Sequence, residues 1–263
     1  MPLICVASPK GGVGKTTVTA SLGYALQRLG RPVVLVDFDV QNALRLHFGL
    51  PLGLSQGFVE SALAGADWRQ LKITSPSNIQ VLPYGRVSAT TRLVFEHRLL
   101  NDPSFLKEGL ADLLTIPNMI VLADTPPGPS AALSALIHQA DLCIAVLLAD
   151  AGSVALLPDI ESGEFFGSAG TETVRYVVNQ VDRRRRLNRD VSVFLQARCG
   201  GALLGMIHRD ESLPEALASQ QSVFAFDSAS AAAHDLDMLA QRLLAALEQQ
   251  TTPVSDTRQR QYS

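Results

Sequence analysis

Short, uninterrupted apolar runs recur along the chain, and each ends in polar or turn-forming residues. Leu3-Ile4-Cys5-Val6-Ala7, Val33-Val34-Leu35-Val36, Met119-Ile120-Val121-Leu122-Ala123 and Leu142-Cys143-Ile144-Ala145-Val146-Leu147-Leu148 show no in–out alternation. Runs of that length without alternation predict strands buried on both faces, as parallel sheets require. Residues 174–178 are a further strand candidate, delivering Asn179, and residues 202–207 end in His208-Arg209-Asp210-Glu211. Between the first two runs, residues 18–29 predict a helix that Gly30 closes, with Pro32 just beyond. Residues 105–114 and 133–137 supply apolar positions for covering helices. Leu236, Leu239, Leu243, Leu244 and Leu247 form one stripe on a helix over 231–247, suited to docking on the core. The pattern predicts an α/β fold around a mostly parallel central sheet. Its single domain is expected over residues 1–250, followed by a polar, disordered tail over 251–263.

The chemistry gathers where these runs end. Ser8-Pro9-Lys10-Gly11-Gly12-Val13-Gly14-Lys15-Thr16-Thr17 lies between the first strand and the first helix. Strand, glycine-rich loop and helix are the context a phosphate-cradling loop needs. Gly11, Gly12, Val13 and Gly14 can turn backbone N–H groups toward phosphates, the new helix adds its positive end, and Thr16 and Thr17 are candidate ligand contacts. Lys15 is expected to reach the β and γ phosphates and the Thr16 hydroxyl to ligate Mg²⁺. Asp37 and Asp39 follow the second strand, so both carboxylates should fall beside that loop, at the carboxyl edge of the sheet. Asp37 is expected to organise Mg²⁺ through water.

Composition narrows the function classes. The 263 residues are 47% hydrophobic and 18% charged, enough for one sizeable core. No apolar stretch approaches a membrane span, and Met1-Pro2-Leu3 enters the first strand without an export signal. Cys5, Cys143 and Cys199 stand apart, without metal or redox spacing; the first two belong to apolar runs and are expected in the core. A cytoplasmic, reduced protein follows. A formal net charge of −3 gives no general attraction to nucleic acid. The one basic cluster, Arg183-Arg184-Arg185-Arg186 with Arg189, suits a partner, a nucleotide, DNA phosphate or plain solvent.

A lysine directly before the paired glycines is not required for phosphate binding alone. The string Lys10-Gly11-Gly12-Val13-Gly14-Lys15 resembles the deviant phosphate loop of the ParA/MinD ATPase family. That resemblance covers most of the chain and implies a three-layer α/β/α P-loop NTPase fold. It implies ATP and Mg²⁺ as ligands, and a face-to-face homodimer in which Lys10 reaches the opposing subunit's nucleotide. Asp39 then resembles the switch-one residue that places the attacking water while facing the metal. Asp124 resembles the acid that holds a metal-bound water. In Thr125-Pro126-Pro127-Gly128-Pro129, similar to switch two, Gly128 can offer an N–H to the γ phosphate. Asn179 matches the family's adenine-contacting asparagine, and His208 through Asp210 resemble its base-side loop, with His208 where proline is usual.

Residues 42–48, 66–69, 81–85 and 206–211 resemble the cellulose-synthase-operon branch of the family. This implies an ATP-binding, weakly hydrolysing dimer that serves the cellulose synthase complex together with small operon-encoded accessory proteins. No direct nucleic-acid contact is expected, and recruitment to the inner face of the inner membrane would run through that complex. Partitioning or positioning ATPases share the same loop, as would a nucleotide-stabilised scaffold with negligible hydrolysis.

Overall fold

The computed structural model describes residues 1–166 and 173–251. Eight strands form one sheet in the order β3-β4-β2-β5-β1-β6-β7-β8. They are β1 (Leu3–Ala7), β2 (Val33–Asp37), β3 (Ile73–Thr74), β4 (Gln80–Leu82), β5 (Ile120–Asp124), β6 (Leu142–Leu148), β7 (Val174–Val181) and β8 (Leu203–His208). All neighbours pair in parallel except β3, which runs antiparallel to β4 at one edge. Eleven α-helices complete the described residues: α1 (Lys15–Arg28), α2 (Phe58–Leu63), α3 (Ala89–Asn101), α4 (Pro103–Leu114), α5 (Ala131–Leu136), α6 (Ala151–Ala155), α7 (Leu157–Glu161), α8 (Arg186–Cys199), α9 (Ser212–Ala218), α10 (Val223–Phe226) and α11 (Ala231–Thr251).

The missing alternation has a direct physical reading. In β1, Leu3, Cys5 and Ala7 enter one core cluster, while Ile4 and Val6 enter another on the opposite face. Both faces are covered, so every position must be apolar. One layer holds α1 and α11 over an aliphatic core; the other includes α3, α4 and α5 over an aromatic cluster. In that cluster Phe58 lies 4.9 Å from Trp68 and 5.7 Å from Phe95, and Phe38 meets Phe58 edge-on at 5.5 Å. Phe38 stands between Asp37 and Asp39, so the aromatic layer anchors the loop that carries both acids. Cys5 and Cys143 face each other across β1 and β6 as buried free thiols.

The three-layer α/β/α fold with a mostly parallel sheet agrees with the expectation. Helix α1 starts at Lys15, three residues before the apolar period begins, because left-handed Gly14 turns the chain directly into it. Strand β4 is short, and β3 contributes only two residues, too few to show a period. Helix α11 reaches Thr251, and the remainder of the tail expected over 251–263 lies outside the described residues. Among the described residues no helix is long and apolar enough to cross a membrane.

Candidate functional site

Parallel pairing brings the strand-end acids together. Asp37 pairs in register with Asp124, which also pairs with Val6, two residues before the glycine loop. Lys15 opens α1 beneath that loop and places Nζ 2.6 Å from Asp124 Oδ1, with 6% of its side chain exposed. Thr16 Oγ1 donates to Asp124 Oδ2 at 2.7 Å, and Thr19 Oγ1 donates to Oδ1 at 3.0 Å. The fully buried carboxylate therefore receives three side-chain donors, which offsets the cost of its desolvation.

Asp37 is equally buried but differently used. Its oxygens accept the N–H of Asp39 at 2.9 Å and of Leu44 at 3.1 Å, shaping the loop between them. Burial, then the nearby Asp124 charge, holds its carboxyl well above the usual range. Asp39 accepts the Gln41 N–H at 2.9 Å through Oδ1. Asn42 follows in a left-handed turn, buried, with neither amide atom paired. Downstream, burial pushes the His47 imidazole down to about 4, and Tyr24 donates its hydroxyl to the His47 carbonyl at 3.0 Å.

Two glycines of the loop have specific geometric duties. Gly12 has φ +75°, and a Cβ there would point into open space, so its backbone conformation is what demands glycine. At Gly14, with φ +79°, a Cβ would also lie 2.5 Å from Asn179 Nδ2. Gly11 faces Pro127, and the Gly128 N–H donates to the Ser8 carbonyl at 2.8 Å. That bond ties the loop after β5 to the glycine loop and occupies the Gly128 N–H.

Lys10 is held within its own chain. Its Nζ contacts both carboxylate oxygens of Asp150, at 2.8 and 2.7 Å. Asp150 also caps α6 by accepting the Ser153 N–H at 2.8 Å. Partial burial opposes ionisation of Asp150, but Lys10 and Ser153 outweigh it and hold the carboxyl below its ordinary value.

Beside the glycine loop lies a cavity of about 320 Å³ whose lining includes Gly14, Thr17, Asn179, His208 and Asp210. Asn179 ends the β7 pairing with β6 and donates Nδ2 to the Val13 carbonyl at 2.8 Å. Its buried Oδ1 has no partner. His208 ends β8, and its ring Nδ1 lies 2.8 Å from Asp235 Oδ2 on α11. Asp210 accepts the N–H of Ser212 at 3.0 Å and of Ala232 at 3.1 Å. Burial raises the Asp210 pKa, yet those backbone donors win and hold it low. Asp210 thus joins the starts of α9 and α11 at the cavity rim.

The residues present fit a magnesium nucleotide. The glycine cradle and Lys15 could meet phosphates, and the orphaned Asn179 Oδ1 could accept from a base. Thr16 and Asp124 offer oxygen donors for Mg²⁺, an ion usually held by one or two carboxylates plus phosphates. Among the described residues no cluster of three or more His, Cys, Asp or Glu forms a protein-only metal cage. Lys15, Thr16, Asp37 and Asp124 meet at the strand ends beneath the glycine loop, with Asp39 bonded to Asp37 and Gly128 to Ser8, while Lys10 turns to Asp150; Gly14, Thr17, Asn179, His208 and Asp210 line the cavity. Asp150 and Asp235 were missed in the sequence. Asp150 carried the same strand-end signal as Asp37 and Asp124, whereas Asp235 is one polar position on an amphipathic helix. Arg183 through Arg186 lie exposed beyond β7; Arg184 pairs with Asp182 at 3.0 Å and Arg186 with Asp190 at 3.6 Å.

Comparison with known proteins identifies this arrangement. The family model "Cellulose biosynthesis protein BcsQ" matches residues 1–244. The BcsQ proteins of Escherichia coli K12 and Salmonella typhimurium LT2 are each 28% identical to the chain. The first match covers 97% of this chain and 98% of the relative; the second covers 91% and 93%. The Pyrococcus horikoshii septum site-determining protein MinD, solved with Mg-ADP, superposes with a TM-score of 0.74 at 22% identity, covering 93% of this chain and 97% of that one. The chain belongs to the BcsQ family of cellulose biosynthesis proteins, and it shares its fold with MinD.

Proposed function

We propose that the protein is an ATP-binding, slowly hydrolysing dimer that supports assembly, localisation or activity of a bacterial cellulose synthesis and secretion complex. The observation that carries the nucleotide part is the Lys15–Asp124–Thr16 cluster at the mouth of α1, beneath a glycine loop that orphaned Asn179 abuts. Lys15 would exchange Asp124 for phosphate oxygens, and Gly11 through Gly14 would line their backbone N–H groups along the same anion. Thr16 and Asp124, aided through water by Asp37 and Asp39, would hold Mg²⁺, which neutralises phosphate charge when bound. Asp39 would orient the attacking water by accepting its hydrogen bond. Lys10 would leave Asp150 to reach the nucleotide of a second copy, completing the site only in the dimer.

The cellulose role rests on the family and on the branch-like segments around Asn42, Trp68 and His208. It makes the protein a cytoplasmic accessory, recruited to the inner membrane through the synthase complex and small operon partners, without DNA contact. Domain 1–250 would carry all of this, and the tail from 251 onward would remain outside it.

Single-turnover hydrolysis by wild type, Lys15→Ala and Asp39→Ala tests the chemistry. Wild-type turnover lost in both variants, with ATP binding kept only in Asp39→Ala, supports this division of roles. ATP binding without turnover, even beside the cellulose synthase complex, would instead establish a nucleotide-stabilised scaffold. ATP-dependent capture of that complex from its native membrane tests the cellular role, and failure of capture removes it.

A further inference from the structure

Behind the wall of the cavity lies a pairing that the nucleotide reading does not use. One oxygen, Asp235 Oδ2, accepts the backbone N–H of His208 at 2.8 Å and also lies 2.8 Å from its ring Nδ1. Asp235 comes from α11, whereas His208 ends β8 and lines the cavity with Asn179. The carboxylate is 15% exposed and the imidazole 33%, so the pair is shielded but the ring still meets solvent or ligand.

We infer that Asp235 is a positioning residue that makes His208 a hydrogen-bond acceptor in the base cavity, favouring a purine with an exocyclic amine over one with a carbonyl at that edge. The inference rests on the nucleotide reading and adds base selection to it.

A carboxylate can only accept, so Nδ1 of a neutral imidazole beside it must carry the proton. Nε2 then holds a lone pair. Because Nδ1 faces α11, Nε2 occupies the ring edge turned away from that helix. Asn179 reinforces the same polarity. Its Nδ2 is committed to the Val13 carbonyl, and its buried Oδ1 is left as an unpaired acceptor. The guanidinium of Arg209, also on the cavity wall, is drawn toward Glu211 at 3.5 Å. Two acceptors thus await donor hydrogens, as the adenine amine provides. The guanine carbonyl would bring a third lone pair against them and leave them unsatisfied.

The test begins with the wild-type protein and no nucleotide. Two-bond ¹H–¹⁵N spectra in alkaline buffer, with His208 assigned by His208→Gln, should show Nδ1 protonated and Nε2 bare. Calorimetric titration with ATP and with GTP then measures selectivity. The ATP-over-GTP ratio should fall about tenfold in Asp235→Ala, where one acceptor is no longer oriented. Asp235→Asn keeps an accepting oxygen and should restore most of the ratio. His208→Leu should lose it as Asp235→Ala does, which covers the case of Asp235→Ala failing to fold. An Nε2-protonated wild type, or an unchanged ratio in Asp235→Ala and His208→Leu, would overturn the inference alone. A wild type that binds neither nucleotide would overturn the nucleotide reading and this inference with it.

Discussion

The phosphate end and the base end of the cleft solve opposite problems. At the phosphate end the charged groups are already paired: Lys15 with Asp124, Lys10 with Asp150, and both Asp37 oxygens with backbone N–H groups. A ligand there must displace internal partners, so binding rearranges the chain. At the base end Asn179 Oδ1 is buried and unpaired, so a ligand satisfies an atom that folding left open. On the proposed function, one end would move and the other would recognise. Their junction is Gly14, where a Cβ would strike the Asn179 amide.

Lys15→Ala should have the largest effect. It removes the phosphate cation and leaves Asp124 buried without its charge partner, costing about 3 kcal/mol of folding stability. Nucleotide affinity should fall by two orders of magnitude or more, on the order of the loss of a charge-assisted contact in a shielded site. Calorimetry and thermal melting measure both, and an unaffected melting temperature would contradict the buried pair.

His47, beneath the switch-one loop, comes next. Its folded pKa of about 4 lies below the ordinary 6.5, so between those values the unfolded chain binds the extra proton. Stability is therefore full above about pH 6.5 and declines as pH falls toward 4, by about 3 kcal/mol in total. Urea titrations across that window should show the decline, and His47→Gln should flatten it.

Substitution at the base end should cost less. Asn179→Ala removes one acceptor and the tie to Val13, weakening ATP binding by about 1–2 kcal/mol, or roughly five- to thirtyfold. If it matched the damage of Lys15→Ala, the contrast between the two ends would fail.

The smallest effect belongs to the Lys10–Asp150 pair, which is 26% and 39% exposed. Such a pair is worth no more than about 1 kcal/mol. Asp150→Ala frees Lys10 and should tighten ATP-dependent dimerisation a few-fold, while Lys10→Ala should weaken it. Sedimentation at matched nucleotide concentration distinguishes them, and parallel shifts in both variants would rule out a restraint on Lys10.

The two ends also differ in how plainly the sequence shows them. The phosphate loop is one contiguous string, and strands β1, β2, β5 and β6 reveal themselves because burial on both faces forbids polar interruption. Asp37 and Asp124 could be placed because each stands at the carboxyl end of such a run, and Asn179 because it follows the strand candidate over 174–178. The cavity joins α1, β7, β8 and α9, and the sequence separation of His208 from Asp235 hides their meeting behind it. The start of α1 at Lys15 was equally hidden, since Thr16 and Thr19 turn hydroxyls inward toward Asp124 and so break the apolar period. Helix α8 begins in the arginine cluster and buries only Ser192 and Leu195, a face too narrow to stand out.

Solution mass by light scattering, for wild type and Asp39→Ala with Mg-ATP or Mg-ADP, tests most directly whether nucleotide moves the phosphate end into a shared site. The expected result is a dimer with Mg-ATP only, persisting in Asp39→Ala while the wild-type dimer decays as ATP is consumed. A mass that is the same with either nucleotide, in both proteins, would contradict an ATP-gated dimer.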